Sequence, residues 1–322
     1  MGGLAVVTLG ASYGDRIDAI TKQIEDLFTR LEKELSTYRF DSVITQLEEQ
    51  ASVAPVRVSD DALRVLTLGK QFGDLSGGSF DITIPPVLRL WGFGPDKEPT
   101  TVPSEGEIQD RLKLVDYRRL ELADHTAYLP MKGMAVDLGG IAKGFAVDRA
   151  FELCRKAGIE DFLLDLSGNL RASGKPRWRG AWQIGVRDPY DRSHILGKVN
   201  VREGWALATS GSYERFVLLG DTRYSHVMDA RTGQPVKGTA SVTILAPDAA
   251  TADGLSTPFF IAGLDGAGAL LAKVPRAEVM IVPDTYPTEI WLTPGFADAF
   301  LPAPQFAEAI RLITPRCATR TQ

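Results

Sequence analysis

This chain has little of what usually makes a protein's chemistry obvious. Only two cysteines occur in 322 residues. Cys154 falls on an apolar helical stripe and Cys317 in a polar tail, so neither a disulfide framework nor a cysteine metal site follows, and compartment is not fixed by cysteine. Histidine is almost as scarce, with three residues. No run of about 18 apolar residues is present, so no membrane span is expected. No basic segment leads into a short hydrophobic core, so no secretory signal is read. There is no Lys/Arg block, and 36 basic against 41 acidic residues leave a net charge of -5. That balance argues against a nucleic-acid partner. A polyphosphate ligand would need a metal ion or backbone amides to offset it. Neither a repeat of about 20–50 residues nor a low-complexity tract stands out.

What is present is ordinary globular material, 44% hydrophobic and 24% charged, enough for one large domain or two. A strand is expected in "LAVVTLGA". Residues 15–36 carry Ile17, Ile20, Ile24, Leu27, Leu31 and Leu35 at spacings of three and four, an amphipathic helix with Asp15 as its cap. "STYRFDSVITQLEEQ" turns into a short helix, and "DDALRVLTLGKQFGDLSGG" reads as another, ended by Gly77 and Gly78. Residues 79–104 mix aromatics with Pro and Gly and read as an ordered loop with a short regular piece. A strand is expected at 134–138, then a glycine turn and a helix over 141–157. Strand and turn signals then dominate up to "ASVTILAP", helix returns over 249–274, and "EVMIVP" and "EIWLTP" close the pattern. Strand-rich and helical stretches are segregated, with few βαβ alternations. The fold class is therefore α+β with mostly antiparallel sheet and flanking helices.

Three stretches carry chemistry. In "VDLGGIAKGFAVDRA", residues 136–150, a strand enters a glycine pair and then a helix. Such a junction presents unpaired N–H groups and the positive end of the helix dipole, an anion site. Lys143 adds a mobile cation in the first turn, and Asp137 a hydrogen-bond acceptor. Gly140 allows close approach or frees a carbonyl for coordination. A plain tight connection with a solvated lysine is the competing reading. Neither the dinucleotide nor the P-loop glycine spacing is present. In "PDAATADGLSTPFF", Asp253 and Thr257 lie four apart and share a helix face, a hard-oxygen pair suited to Mg²⁺. Two ligands are too few, so carbonyls, water or phosphate must complete the shell. Pro258 leaves the carbonyl of Gly254 without its helical partner. A cap or surface role is the bland alternative for Asp253. The third stretch, "ATSGSYERF…TRYSHVMDARTGQPV", holds His226. A lone histidine there is more often structural than catalytic.

Taken in order, "MGG", "STYRFDS", "GGSFDIT" with "LWGFG", "VDLGGIAKGFAVDRA", "ATSGSYERF", "YSHVMDARTGQPV" and "SVTILAPDAATADGLST" resemble the FAD:protein FMN transferases of the ApbE type. The similarity runs from Met1 to about Thr257 and continues weakly through "WLTPGF". It implies one ApbE-like flavin transferase domain over 1–322, with room for two subdomains, a T-fold-like core and a flexible tail at 315–322. It implies FAD held by Met1, Tyr38, the loop Ser79, Phe80 and Asp81, and by Asp137, Lys143 and His226. Mg²⁺ is implied at the Gly140 carbonyl, Asp253 and Thr257. The implied reaction is Mg²⁺-dependent attack of a Thr or Ser hydroxyl of an acceptor protein on the FMN-side phosphorus of FAD, releasing AMP. Lys143 steadies the phosphates, and either His226 or Asp137 serves as base. The implied acceptor is a flavoprotein subunit bearing a Ser/Thr flavinylation motif, for example one of a membrane redox pump. The alternatives are an FAD pyrophosphatase yielding FMN and AMP and a flavin-binding carrier without chemistry. Many members are exported lipoproteins, so a periplasmic, membrane-anchored protein whose leader lies ahead of this sequence is expected, with a cytoplasmic one as the alternative. The chain departs from the family at Gly3, where Thr is usual, and at Ser256, where some members carry Asp. Pro85 and Ser167 stand where Gly is commoner.

Overall fold

Alternating and continuous apolar runs sort eight segments of the chain into one sheet whose spatial order is its chain order. Its strands are β1 (Ala5–Leu9), β2 (Phe162–Leu166), β3 (Asn169–Ser173), β4 (Ala206–Gly211), β5 (Thr239–Ala246), β6 (Glu278–Pro283), β7 (Ile290–Leu292) and β8 (Ile310–Leu312). Every neighbouring pair is antiparallel except β7 with β8, which is parallel. The computed structural model describes residues 3–10, 13–14, 16–94, 101–176 and 180–313. The expectations placed on Met1, Asp15 and the tail at 315–322 fall outside these.

The sheet has a helical layer on one face and a second sheet on the other. The helices are α1 (Arg16–Leu35), α2 (Asp60–Ser76), α3 (Ala142–Lys156) and α4 (Ala249–Leu271). The stripe read from the sequence is the one α1 buries, through Ile20, Ile24, Leu27, Leu31 and Leu35. Ser59 caps α2 by accepting from the Ala62 N–H, and Gly77 ends it in the left-handed conformation that a Cβ would strain. Against these helices pack Leu164, Leu166, Ala206, Ala208, Val242, Ile244 and Ile281. On the other face Leu170, Leu207, Leu245, Met280 and Val282 meet a three-stranded sheet formed by Trp182–Arg187, Ile195–Val201 and Phe300–Pro302. All eight residues of β5 are consequently buried, which is why "TASVTILA" shows no polar alternation.

The strand expected at 134–138 does not form. Met134, Ala135, Val136 and Leu138 are buried, yet the segment pairs with no strand, and the Asp137 N–H donates to the Ile82 carbonyl at 2.8 Å. It is an extended connection threaded through the core, whose apolar run mimics a strand. Helix α4 ends at Leu271, short of the 249–274 read from the sequence, and is strongly apolar. Its length and mean hydropathy of 1.2 would suffice to cross a membrane, but Ala252, Leu255, Phe259 and Phe260 are fully packed in the core. Pro258 lies within it, and Gly263 breaks its helical φ/ψ at φ 56°, ψ -160°.

Candidate active site

A cavity of about 860 Å³ opens between the helical layer, one end of the sheet, the strand Trp182–Arg187 and the residues flanking the hairpin Phe216–Ser225. Tyr38, Phe80, Asp81, Asp137, Gly140, Lys143, His226, Asp253 and Thr257 all line it. Residues from five separate stretches of sequence are thus brought to one cavity. Ser79 is not among the lining residues. It is buried beneath, with its carbonyl accepting from the Ala230 N–H at 3.0 Å.

The glycine bend and the Asp253/Thr257 pair converge through the crossing of α3 and α4. The Gly144 N–H donates to Asp253 Oδ2 at 2.9 Å. A Cβ on Gly144 would overlap the Ala249 carbonyl and come within 2.7 Å of the Asp253 Cβ, so only glycine permits this approach. A Cβ on Gly140 would lie 3.6 Å from Thr257 Oγ1 and 3.1 Å from the Phe80 ring. Phe80 is held edge-on by Phe72, with ring centroids 6.4 Å apart.

The helix N-terminus is less open than the sequence implied. The Gly139 N–H is taken by Asp137 Oδ1 at 2.6 Å. Ile141 and Ala142 donate to the Leu138 carbonyl, and Gly144 is taken by Asp253. The anion seated on the α3 dipole is therefore a protein carboxylate, and the Lys143 ammonium stands beside it at the cavity wall. Its Nζ donates to the Gly139 carbonyl at 3.1 Å.

Asp253 is 5% exposed, and burial raises its carboxyl pKa, with Lys143 and the Gly144 N–H opposing that rise. Oδ1 has no hydrogen-bond partner among the described residues. A desolvated carboxylate with one free oxygen facing a cavity is a strong attractor for a cation. No group of three His, Cys, Asp or Glu side chains is assembled among the described residues, so no all-protein cage exists. One carboxylate, one hydroxyl and nearby carbonyls instead suit Mg²⁺, which keeps several waters and shares its shell with phosphate. Ser256, where the resemblance allows an Asp, is committed elsewhere. Its hydroxyl donates to the Asp253 carbonyl at 2.7 Å and pairs with Ser210 Oγ at 2.7 Å.

His226 Nδ1 lies 3.0 Å from the Arg215 carbonyl, which fixes the tautomer with the proton on Nδ1 and leaves Nε2 as an acceptor. Burial, helped by Arg215 and Lys143, pushes its pKa down to about 4. At neutral pH it is therefore an uncharged, weakly basic acceptor, which weighs against His226 of the two bases the resemblance implies. Asp81 is buried with both oxygens engaged, Oδ1 by the Thr83 N–H and hydroxyl and Oδ2 by the Tyr117 N–H. It shapes the loop beneath the cavity. Tyr38 is 60% exposed at the mouth, its hydroxyl accepting from Arg215 Nη1 at 2.5 Å. Arg215 and Asn169 also line the cavity, and neither was singled out from sequence. The only available signal was an asparagine at the start of an apolar strand.

A family profile described as the ApbE family matches residues 1–281. The chain belongs to the ApbE family. Among ApbE relatives, the FAD:protein FMN transferase of Salmonella typhimurium is 30% identical over 292 residues, covering 87% of this chain and 83% of that protein. The enzyme of the same name from Treponema pallidum is 33% identical over 278 residues, covering 80% and 76%. Of solved structures, the flavin transferase ApbE from Vibrio cholerae superimposes with a TM-score of 0.83 at 28% identity, covering 94% of this chain and 96% of that one. The ApbE protein from Thermotoga maritima gives 0.79 at 30% identity, with 96% of each chain covered. The α+β architecture expected from the sequence is thus the ApbE fold.

Proposed function

We propose that the protein is an FAD:protein FMN transferase, moving FMN from FAD to a Ser or Thr hydroxyl of an acceptor protein with release of AMP. Family membership supports the activity class. The observation that carries the site is the convergence of Gly140, Lys143, Asp253 and Thr257 on one cavity wall.

Tyr38 offers an exposed aromatic face at the mouth for a flavin or purine ring. Lys143 reaches the cavity from a fixed helix turn and neutralises phosphate oxygens as charge shifts toward the departing AMP. Asp253 and Thr257, with the Gly140 carbonyl, are the residues that would hold Mg²⁺. When bound, that ion neutralises diphosphate charge and stabilises the leaving group. This resolves how an acidic chain binds a diphosphate. His226 Nε2 accepts a hydrogen bond from a flavin or ribityl donor. Asp137 has one oxygen fixed by Gly139 and the other free to accept the proton of the attacking hydroxyl, so it suits the base better than His226 does.

Incubation of the purified protein with FAD, Mg²⁺ and a threonine-bearing acceptor tests the reading. Flavin fluorescence on the acceptor with equimolar AMP is the expected result. AMP and free FMN without labelling would indicate a pyrophosphatase, and FAD left intact a carrier.

A further inference from the structure

One polar group in the cavity wall has no role in the account above. Asn169 opens β3 and is 5% exposed. Its Nδ2 donates to the Leu166 carbonyl at 3.4 Å. Its Oδ1 is buried with no hydrogen-bond partner. The Nδ2 contact fixes the amide orientation, since the reverse placement would set two oxygens against each other. A buried amide oxygen without a donor is costly, and this one belongs to a residue lining the large cavity.

Its position narrows the missing donor. Asn169 pairs with Ala208 in β4, so the two share a sheet face. That face is the helical one, as Arg171, two residues along β3, reaches Asp148 of α3 at 2.7 Å. Two residues along β4 on the same face stands Ser210, bonded to Ser256 beside Thr257. Asn169 therefore neighbours the end of the cavity where Asp253 and Thr257 lie. A diphosphate held there brings no donor of its own at neutral pH. The donors flanking it are sugar-alcohol hydroxyls, and the attacking group is a hydroxyl as well.

We propose that Asn169 is a substrate-binding residue whose Oδ1 accepts the hydrogen bond of a hydroxyl brought by a substrate. That hydroxyl is either one of the polyol beside the FAD diphosphate or the side chain of the acceptor. The proposal rests on the flavin-transfer reading of this cavity.

The test is Asn169→Leu, similar in volume and without an acceptor, measured by thermal unfolding with and without FAD and by acceptor titration. The empty variant should unfold at or above the wild-type temperature, because an orphaned oxygen has been removed; a purely structural asparagine would give a lower one. If the donor is the flavin polyol, FAD affinity should fall roughly 5- to 10-fold, the loss of one neutral hydrogen bond. If it is the acceptor, FAD affinity stays and the acceptor KM rises by a similar factor. Should the leucine variant misfold, Asn169→Ser should bind better than Asn169→Ala. Wild-type FAD affinity together with wild-type acceptor KM in Asn169→Leu, or equal binding by the Ser and Ala variants, would overturn the proposal. Absence of any FAD-induced stabilisation in the unmutated protein would instead remove the flavin reading on which it rests.

Discussion

At the scale of single residues, the site is governed by burial acting on charge. His226 carries a folded pKa of about 4 against an ordinary 6.5. A base whose folded pKa is depressed stabilises the fold above its unfolded pKa, and that contribution is lost as pH falls from 6.5 toward 4. Nitrogen-detected NMR of the three histidines should show His226 neutral at pH 5.5; an inflection near 6.5 assigned to it would refute the burial argument. Asp253 behaves oppositely. Its raised pKa means that the stabilisation is full below the unfolded value and is lost as pH rises through the folded one. In the protein free of divalent cations, Asp253→Asn should keep the Gly144 contact, raise stability at pH 7 by about 1 kcal/mol or more, and flatten the pH dependence. Equal or lower stability in that variant would show that the carboxylate is already compensated. Ser167 adopts φ 53°, the left-handed region where glycine is at ease, a physical reason for the glycine that the resemblance leads one to expect there. Ser167→Gly should gain up to about 1 kcal/mol, read by chemical denaturation.

At the scale of elements, the α3–α4 crossing is what makes a site from distant sequence. Gly144→Ala forces a methyl group against the Ala249 carbonyl and the Asp253 Cβ, separating the helices. Stability should drop by about 2 kcal/mol or more, with FAD-induced stabilisation lost. Retention of both would mean that the helices approach less closely. The sequence made α1 and α2 legible because their faces have a helical period and their ends have polar or glycine stops. It made the glycine bend legible as a site, and its juxtaposition with Asp253 and Thr257 was implied by the resemblance. The segment 134–138 misled because burial by helices and by sheet leaves the same apolar run. The state of the α3 N-terminus could not be read at all. Whether its N–H groups meet a ligand or Asp253 depends on a contact 109 residues away in sequence. Asn169 was hidden for the same reason, since an unpaired amide shows only once its neighbours are in place.

At the scale of the molecule, the site stands at one end of a sheet buried on both faces, and rigidity of that sheet holds its walls. Ile244 of β5 is 0% exposed, and Ile244→Ala should cost about 2–5 kcal/mol in denaturant unfolding while leaving the charge arrangement of the cavity intact. The chain's net charge of -5 makes it a poor host for a diphosphate unless the charge is offset locally, so the whole account turns on a divalent cation shared between Asp253, Thr257 and the ligand. Calorimetric titration of Mg²⁺ into the FAD-loaded protein measures this directly. The unmutated protein should take up one equivalent per chain, and both Asp253→Asn and Thr257→Val should weaken that uptake at least tenfold. Undiminished Mg²⁺ affinity in both variants would contradict the account.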